Sequence, residues 1–196
     1  MSILDQIIKD KKIEVSKRKN IFPASYWEAS PLFDRATKSL SDNLRNSKSG
    51  IIAEFKRRSP SKKNINNSLS VIEVSEGYEK AGVCGMSILT DGKYFGGSLD
   101  DINLARSVTK FPLLRKEFII DEYQIIEAKA HGADVILLIA SVLNYKQIKD
   151  LSYLGKKLDL EILLEVHNQE ELEMSIMPSI DMIGVNNRNL KNFEVS

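Results

Sequence analysis

A single cysteine, Cys84, stands among 196 residues. One thiol can form neither an internal disulfide nor a thiolate metal cluster. It lies in the apolar stretch VCGMSIL, where a small core side chain is a better reading than a catalytic thiol. Histidine is nearly as scarce. His131 and His167 are far apart and lack i,i+4 spacing, so no metal site is expected. No apolar run approaches the ~20 residues of a membrane span, and the N-terminal MSILDQIIKDKKIEVSKRKN lacks the apolar centre of a signal peptide. A net charge of +1 gives no general pull toward nucleic acid or an anionic membrane. What remains is the composition of an ordinary globular protein, 42% apolar and 28% charged. The expectation is a soluble, cytoplasmic protein with one sizeable core and an appendage.

A pattern repeats from residue 51. Short apolar runs occur at 51–56 (IIAEFK), 84–89 (CGMSIL), 111–117 (FPLLRKE), 134–140 (DVILLIA), 160–166 (LEILLEV) and 182–187 (MIGVNN). They begin every 22 to 33 residues, the length of a βα unit. Helical periods fill the gaps. Residues 70–81 place Val71, Val74 and Tyr78 on one face and stop at Gly82. Residues 121–131 open with Asp-x-x-Gln, a capping-box pattern, and end at Gly132. Residues 144–157 and 168–176 read likewise.

Alternating strands and helices imply a parallel sheet, either doubly wound or closed as a (β/α)8 barrel. Nearly every run carries a polar residue at or just past its C-terminal end: Glu54 and Lys56, Asp91, Lys116, Ser141, Glu165, Asn186. A barrel brings all such ends to one mouth, whereas an open sheet uses only those at its switch point. No GxGxxG or GxxxxGK[ST] follows any run. The expected class is therefore α/β, a TIM barrel over residues 51–196 with a helical extension over residues 1–50 that could serve as a lid. Six strand signals give about six βα units, two fewer than a closed barrel, and the exposed sheet edges would favour self-association.

Chemistry concentrates at the strand ends. In IIAEFKRRSP, strand alternation puts Glu54 and Lys56 on one face with Ile52. Two amines (Lys56, Lys116) and two carboxylates (Glu54, Glu165) would meet in one mouth. Each alone reads as an ion pair. Together, opposed charges offset one another's burial and separate pKa values into an acid and a base. RRSPSKK (57–63) is a basic loop able to hold a phosphate or carboxylate. It lacks the stacking aromatics and wider basic field of a nucleic-acid surface. KYFGGS (93–98) precedes a helix capped by Ser98 and could bring Phe95 to a pocket.

IIAEFKRRSPS, ILTDGKYFGGS, LLRKEFIID, GADVILLIA, LLEVHNQEEL and IGVNNRNL, in this order and spacing, resemble the signatures of indole-3-glycerol phosphate synthase. The resemblance runs from about residue 50 to the end. It implies a (β/α)8 barrel that converts 1-(o-carboxyphenylamino)-1-deoxyribulose 5-phosphate to indole-3-glycerol phosphate, releasing CO2 and water, with no cofactor. The implied partner is that phosphorylated small molecule, with neither nucleic acid nor membrane. Lys116 matches the family's general acid, Glu54 the carboxylate that orients and balances the lysines, and Glu165 the glutamate that assists proton removal or stabilises developing positive charge. Lys56 matches the lysine that meets the substrate carboxylate and could act as an acid in dehydration. Which lysine serves which step stays open. Ser59 and Arg188 match polar groups of the substrate-anion sites, Asn186 a substrate-contacting amide, and Phe95, Phe118 and Leu138 substrate-lining positions. The chain departs from the family in having SPSKKNIN where Gly often follows SPS, and strand 7 and 8 signals, whose loops grip the phosphate, are not seen. On that basis this chain alone is expected to be inactive or severely impaired. The other readings are a non-catalytic barrel fragment with a binding or assembly role, and a related phosphate-binding barrel such as phosphoribosylanthranilate isomerase.

Overall fold

The computed structural model describes residues 2–187. Its centre is one all-parallel sheet of six strands in the order β1-β2-β3-β4-β5-β6. These are β1 (Ile52–Phe55), β2 (Gly85–Leu89), β3 (Leu113–Lys116), β4 (Val135–Ile139), β5 (Glu161–Val166) and β6 (Met182–Val185). Parallel neighbours require a crossover, and each is made by helix. The crossovers carry α4 (Val71–Lys80), α5 (Gly92–Phe95) with α6 (Leu99–Val108), α7 (Glu122–Ala130), α8 (Tyr145–Lys157) and α9 (Gln169–Ser175). A sheet in which every strand lies beside its predecessor, with a helix in each crossover, is the winding of a (β/α) barrel, and the described residues form six of its strands.

Local chemistry sets the helix starts. Ser70, Ser98 and Asn144 each cap a helix through a reciprocal box with Glu73, Asp101 and Gln147. The expected box at Asp121 does not form. Asp121 accepts the N–H of Tyr123 instead, while the Gln124 amide turns back, accepting from Ile120 N and donating to Phe118 O, both at 2.9 Å. Gln124 thus shapes the loop after β3 rather than the helix start.

The two faces of each strand bury different things. Met86, Ile88, Leu113, Ile136, Leu138, Ile162 and Leu164 pack outward against helices. Ile52, Leu114, Val135, Leu137, Ile139, Leu163 and Met182 meet on the inner side with Cys84. Cys84 is buried and free, a core residue in fact as well as expectation.

Residues before β1 cover both ends of the strands. α1 (Ile3–Ile21) reaches the C-terminal ends through Lys11, which pairs with Asp91 and Glu117 at 2.9 and 3.2 Å. The short α2 (Ala24–Glu28) packs on α7, with Trp27 Nε1 donating to Tyr123 Oη at 2.7 Å. α3 (Leu40–Asn46) lies at the N-terminal ends. There Leu40 is fully buried in the inner cluster, and Asn43 donates to Cys84 O at 3.0 Å. Glu161, the first residue of β5, accepts four bonds of 2.6–3.0 Å from Ser39 Oγ, Leu40 N, Ser41 N and Ser41 Oγ, and so anchors this plug.

Candidate active site

Strand ends bring the charged residues together as expected. Glu54, Lys56, Phe95, Lys116, Phe118, Glu165 and Asn186 line one cleft of ≈ 130 Å³, open to solvent, with Leu89, Asp91, Glu117, Leu137 and Ile139. Each polar member sits on the inner face because its strand already commits the alternate residues to the helices. Phe55 packs outward, so Glu54 points in; Arg115 is buried among Thr90 and Glu127, so Lys116 points in; Val166 packs outward, so Glu165 points in.

Glu54 is the hub. One carboxylate oxygen accepts from Lys56 and the other from Lys116 at 2.8 Å. Burial opposes ionisation of Glu54, but the Lys116 charge and the bonds from Lys116 and Lys56 outweigh it, so the carboxyl titrates below its ordinary range. Both ammoniums stay about a third exposed, within reach of a ligand. On the far side, Glu165 accepts from Asn186 Nδ2 at 3.0 Å and is only 13% exposed.

The apolar wall has its own geometry. Phe95 and Phe118 face each other with centroids 6.1 Å apart. Phe95 is delivered by the Gly96–Gly97 pair. Gly96 has φ 70°, and a Cβ on Gly97 would fall 1.9 Å from Leu89 O, so only glycine lets the chain turn this tightly against β2.

One expectation is overturned, and three other groups lie apart from the cleft lining. Leu138 does not line the cleft. It is fully buried on the helix side with Ile136, Ile162 and Leu164, and the cleft takes Leu137 and Ile139 instead. The reason is strand alternation, which puts residue 138 on the opposite face from its two neighbours. Ser59 is not among the cleft's lining residues. Its hydroxyl accepts from Lys62 N at 3.1 Å inside a tight turn and lies 3.2 Å from Ser61 Oγ. Ser141 lines a groove beside α1 rather than the cleft. The two arginines of the basic loop are already engaged: Arg57 forms a fork on Asp101 at 2.6 and 2.7 Å, and Arg58 donates to the carbonyls of Gly92 and Lys93. They fasten this loop to the turn carrying Phe95. Arg188 lies outside the described residues.

Two contributors escaped the sequence reading. Glu117 lines the cleft while bound to Lys11, Thr90 Oγ1 and Phe118 N. His167 sits two residues beyond Glu165, a spacing that would have placed both on one face. Among the described residues, no group of three or more His, Cys, Asp or Glu side chains is arranged to hold a metal ion. No helix there is long and apolar enough to cross a membrane.

The sequence model of indole-3-glycerol phosphate synthase matches residues 4–196. The chain belongs to this family. It is similar to the indole-3-glycerol phosphate synthase of Bacteroides thetaiotaomicron, at 47% identity over 97% of this chain and 73% of that protein. The family members of Campylobacter fetus and Bacillus cereus are 42% and 44% identical, over 98% and 99% of this chain and 75% and 74% of theirs. The charged cleft at the strand ends is therefore the place to seek the family's chemistry.

Proposed function

We propose that the cleft carries out the family reaction, closing the indole ring of 1-(o-carboxyphenylamino)-1-deoxyribulose 5-phosphate with loss of CO2 and water. The observation that supports it is a single carboxylate, Glu54, holding two ammoniums from different strands opposite a second carboxylate, Glu165. Ring closure needs a proton at the ketone oxygen as the aromatic carbon attacks the carbonyl carbon. Lys116, its ammonium 2.8 Å from Glu54, is suited to give it. Lys56 is placed to meet the substrate carboxylate and to act as an acid when hydroxide leaves. Glu165 takes the proton lost in dehydration, or stabilises positive charge that precedes it. Asn186 orients Glu165 and contacts the substrate. Phe95 and Phe118 hold the anthranilate ring between them. The reaction would proceed in the cytoplasm, where phosphorylated metabolites are retained.

Indole fluorescence reports turnover directly. Protein in which the strand 7 and 8 part of the barrel is supplied should produce it from the carboxyphenylamino substrate, and Lys116→Met should reduce kcat by about 100-fold or more, the contribution of one general acid. Equal, nonzero rates for both would sink the role of Lys116. No turnover by the unsubstituted protein would overturn the activity for this chain.

A further inference from the structure

His167 belongs to no role described so far. Its ring is largely buried, 14% exposed, and is held from one side only. Glu171, on α9, faces Nδ1 at 3.1 Å and also accepts the His167 backbone N–H at 2.9 Å. A carboxylate oxygen can only accept, so this contact places a proton on Nδ1. In the neutral ring Nε2 then carries a lone pair. That atom is buried and has no hydrogen-bond partner among the described residues. It lies 4.0 Å from Glu165 Oε1, the oxygen that also accepts from Asn186. Among the described residues, Glu165 on β5 and Glu171 on α9 are the charged groups that face the ring; Asn186 on the β6 side is neutral, and Lys56, Lys116 and Glu54 line the same cleft as Glu165.

A carboxylate 4.0 Å away, an imidazole with its proton fixed on the far nitrogen, and an unpartnered near nitrogen form an arrangement that can receive a proton. We propose that His167 is a positioning and proton-accepting partner of Glu165 in the dehydration step, with Glu171 fixing its tautomer and stabilising the imidazolium. This rests on the reading of Glu165 as the proton acceptor. In that step a proton leaves the ring carbon beside the nitrogen, and its electron pair forms the new double bond. The C–O bond breaks, and the hydroxyl departs as water with a proton from a lysine ammonium. Glu165 takes the carbon-bound proton and shares it with Nε2 of His167. The Glu165–His167 pair then releases its proton to solvent and solvent returns one to the lysine, so that neither protons nor electrons are left over. An imidazole that already carries a proton on both nitrogens cannot receive this one.

Three variants and one spectrum test this. In H167Q the amide keeps a polar group in place but cannot take up a proton. kcat should fall about 10- to 100-fold, less than the loss of a direct acid or base. The acid limb of the kcat profile should also move to lower pH. E171Q should reproduce a smaller version of both changes. Nitrogen-15 NMR of the ring at alkaline pH should show the Nδ1–H form in the unsubstituted protein and a mixture of tautomers in E171Q. An H167Q enzyme with an unmoved acid limb, or a ring carrying its proton on Nε2, would overturn the relay and leave the ring-closing reading intact. A fully active E165Q would remove the role of Glu165 and the relay with it.

Discussion

Lys116 on β3 reaches past β2 to place its ammonium 2.8 Å from Glu54 on β1. The same carboxylate also holds Lys56. One negative charge thus keeps two positive ones in a single cleft. Glu54→Gln preserves the shape and removes that charge, leaving the ammoniums to repel each other and reorient. kcat should fall by about 100-fold with a smaller change in KM, and Glu54→Asp should recover part of it. An E54Q enzyme with unchanged kcat would show that the lysines need no common counter-charge.

Acid should weaken the fold through two carboxylates of this kind. For Glu161, burial opposes ionisation, but bonds from the Ser39 and Ser41 hydroxyls and the N–H groups of Ser41 and Leu40 outweigh it. Glu54 is lowered by its lysines against a similar burial penalty. In both, the folded state binds a proton less readily than the unfolded chain, whose carboxyl titrates near 4.5. Their stabilisation is complete above that pH and is lost as pH falls through the lower folded values. Urea midpoints at pH 7 and pH 4 should show the unsubstituted protein losing more than Glu161→Gln over that interval. Parallel losses would exclude Glu161 as a source of the acid sensitivity.

Lys11 is the most deeply buried amine of α1, 2% exposed and within 3.2 Å of Glu14, Asp91 and Glu117. Burial disfavours its charge, yet Glu117, Asp91 and Glu14 raise its pKa well above the ordinary lysine value. Lys11→Met would leave two buried carboxylates facing each other beside the cleft. Removing one partner of a buried charge set costs about 3–5 kcal/mol, so the urea midpoint should drop sharply. A guanidinium can refill the site, and Lys11→Arg should restore part of the loss. A stable K11M protein would mean that water already screens this cluster.

How much of this was legible depends on what each residue has for neighbours in sequence. Glu54, Lys116 and Glu165 were visible because a charge interrupts an apolar run, and alternation then assigns its face. DVILLIA offers no such mark. β4 is buried on both faces, as parallel strands are, so sequence could not tell the inward Leu137 and Ile139 from the outward Leu138. Lys11 stands in KDKK with the exposed Lys9 and Lys12, and only the packing of α1 over β2 and β3 distinguishes it. Arg57 and Arg58 announced a positive loop, but their partners lie 34 to 44 residues away, and pairing at that distance leaves no local trace. Charge was legible; its satisfaction was not.

The opposite end of the strands offers a control on all of these. Leu40 of α3 is fully buried among Cys84, Leu114, Val135 and Leu137, and a Cβ on Gly85 would come 2.6 Å from its Cδ1. The missing side chain at Gly85 thus makes the space that Leu40 fills. Leu40→Ala should open a cavity and cost about 2–5 kcal/mol, as large-to-small changes in cores do. Barrels keep stability at the N-terminal ends of their strands and chemistry at the C-terminal ends. L40A should therefore lower the unfolding midpoint while leaving KM and the pH profile of kcat unchanged at temperatures where it stays folded. A shift in either kinetic quantity would mean that α3 transmits strain along the strands to Glu54 and Glu165, and that the two ends are not independent.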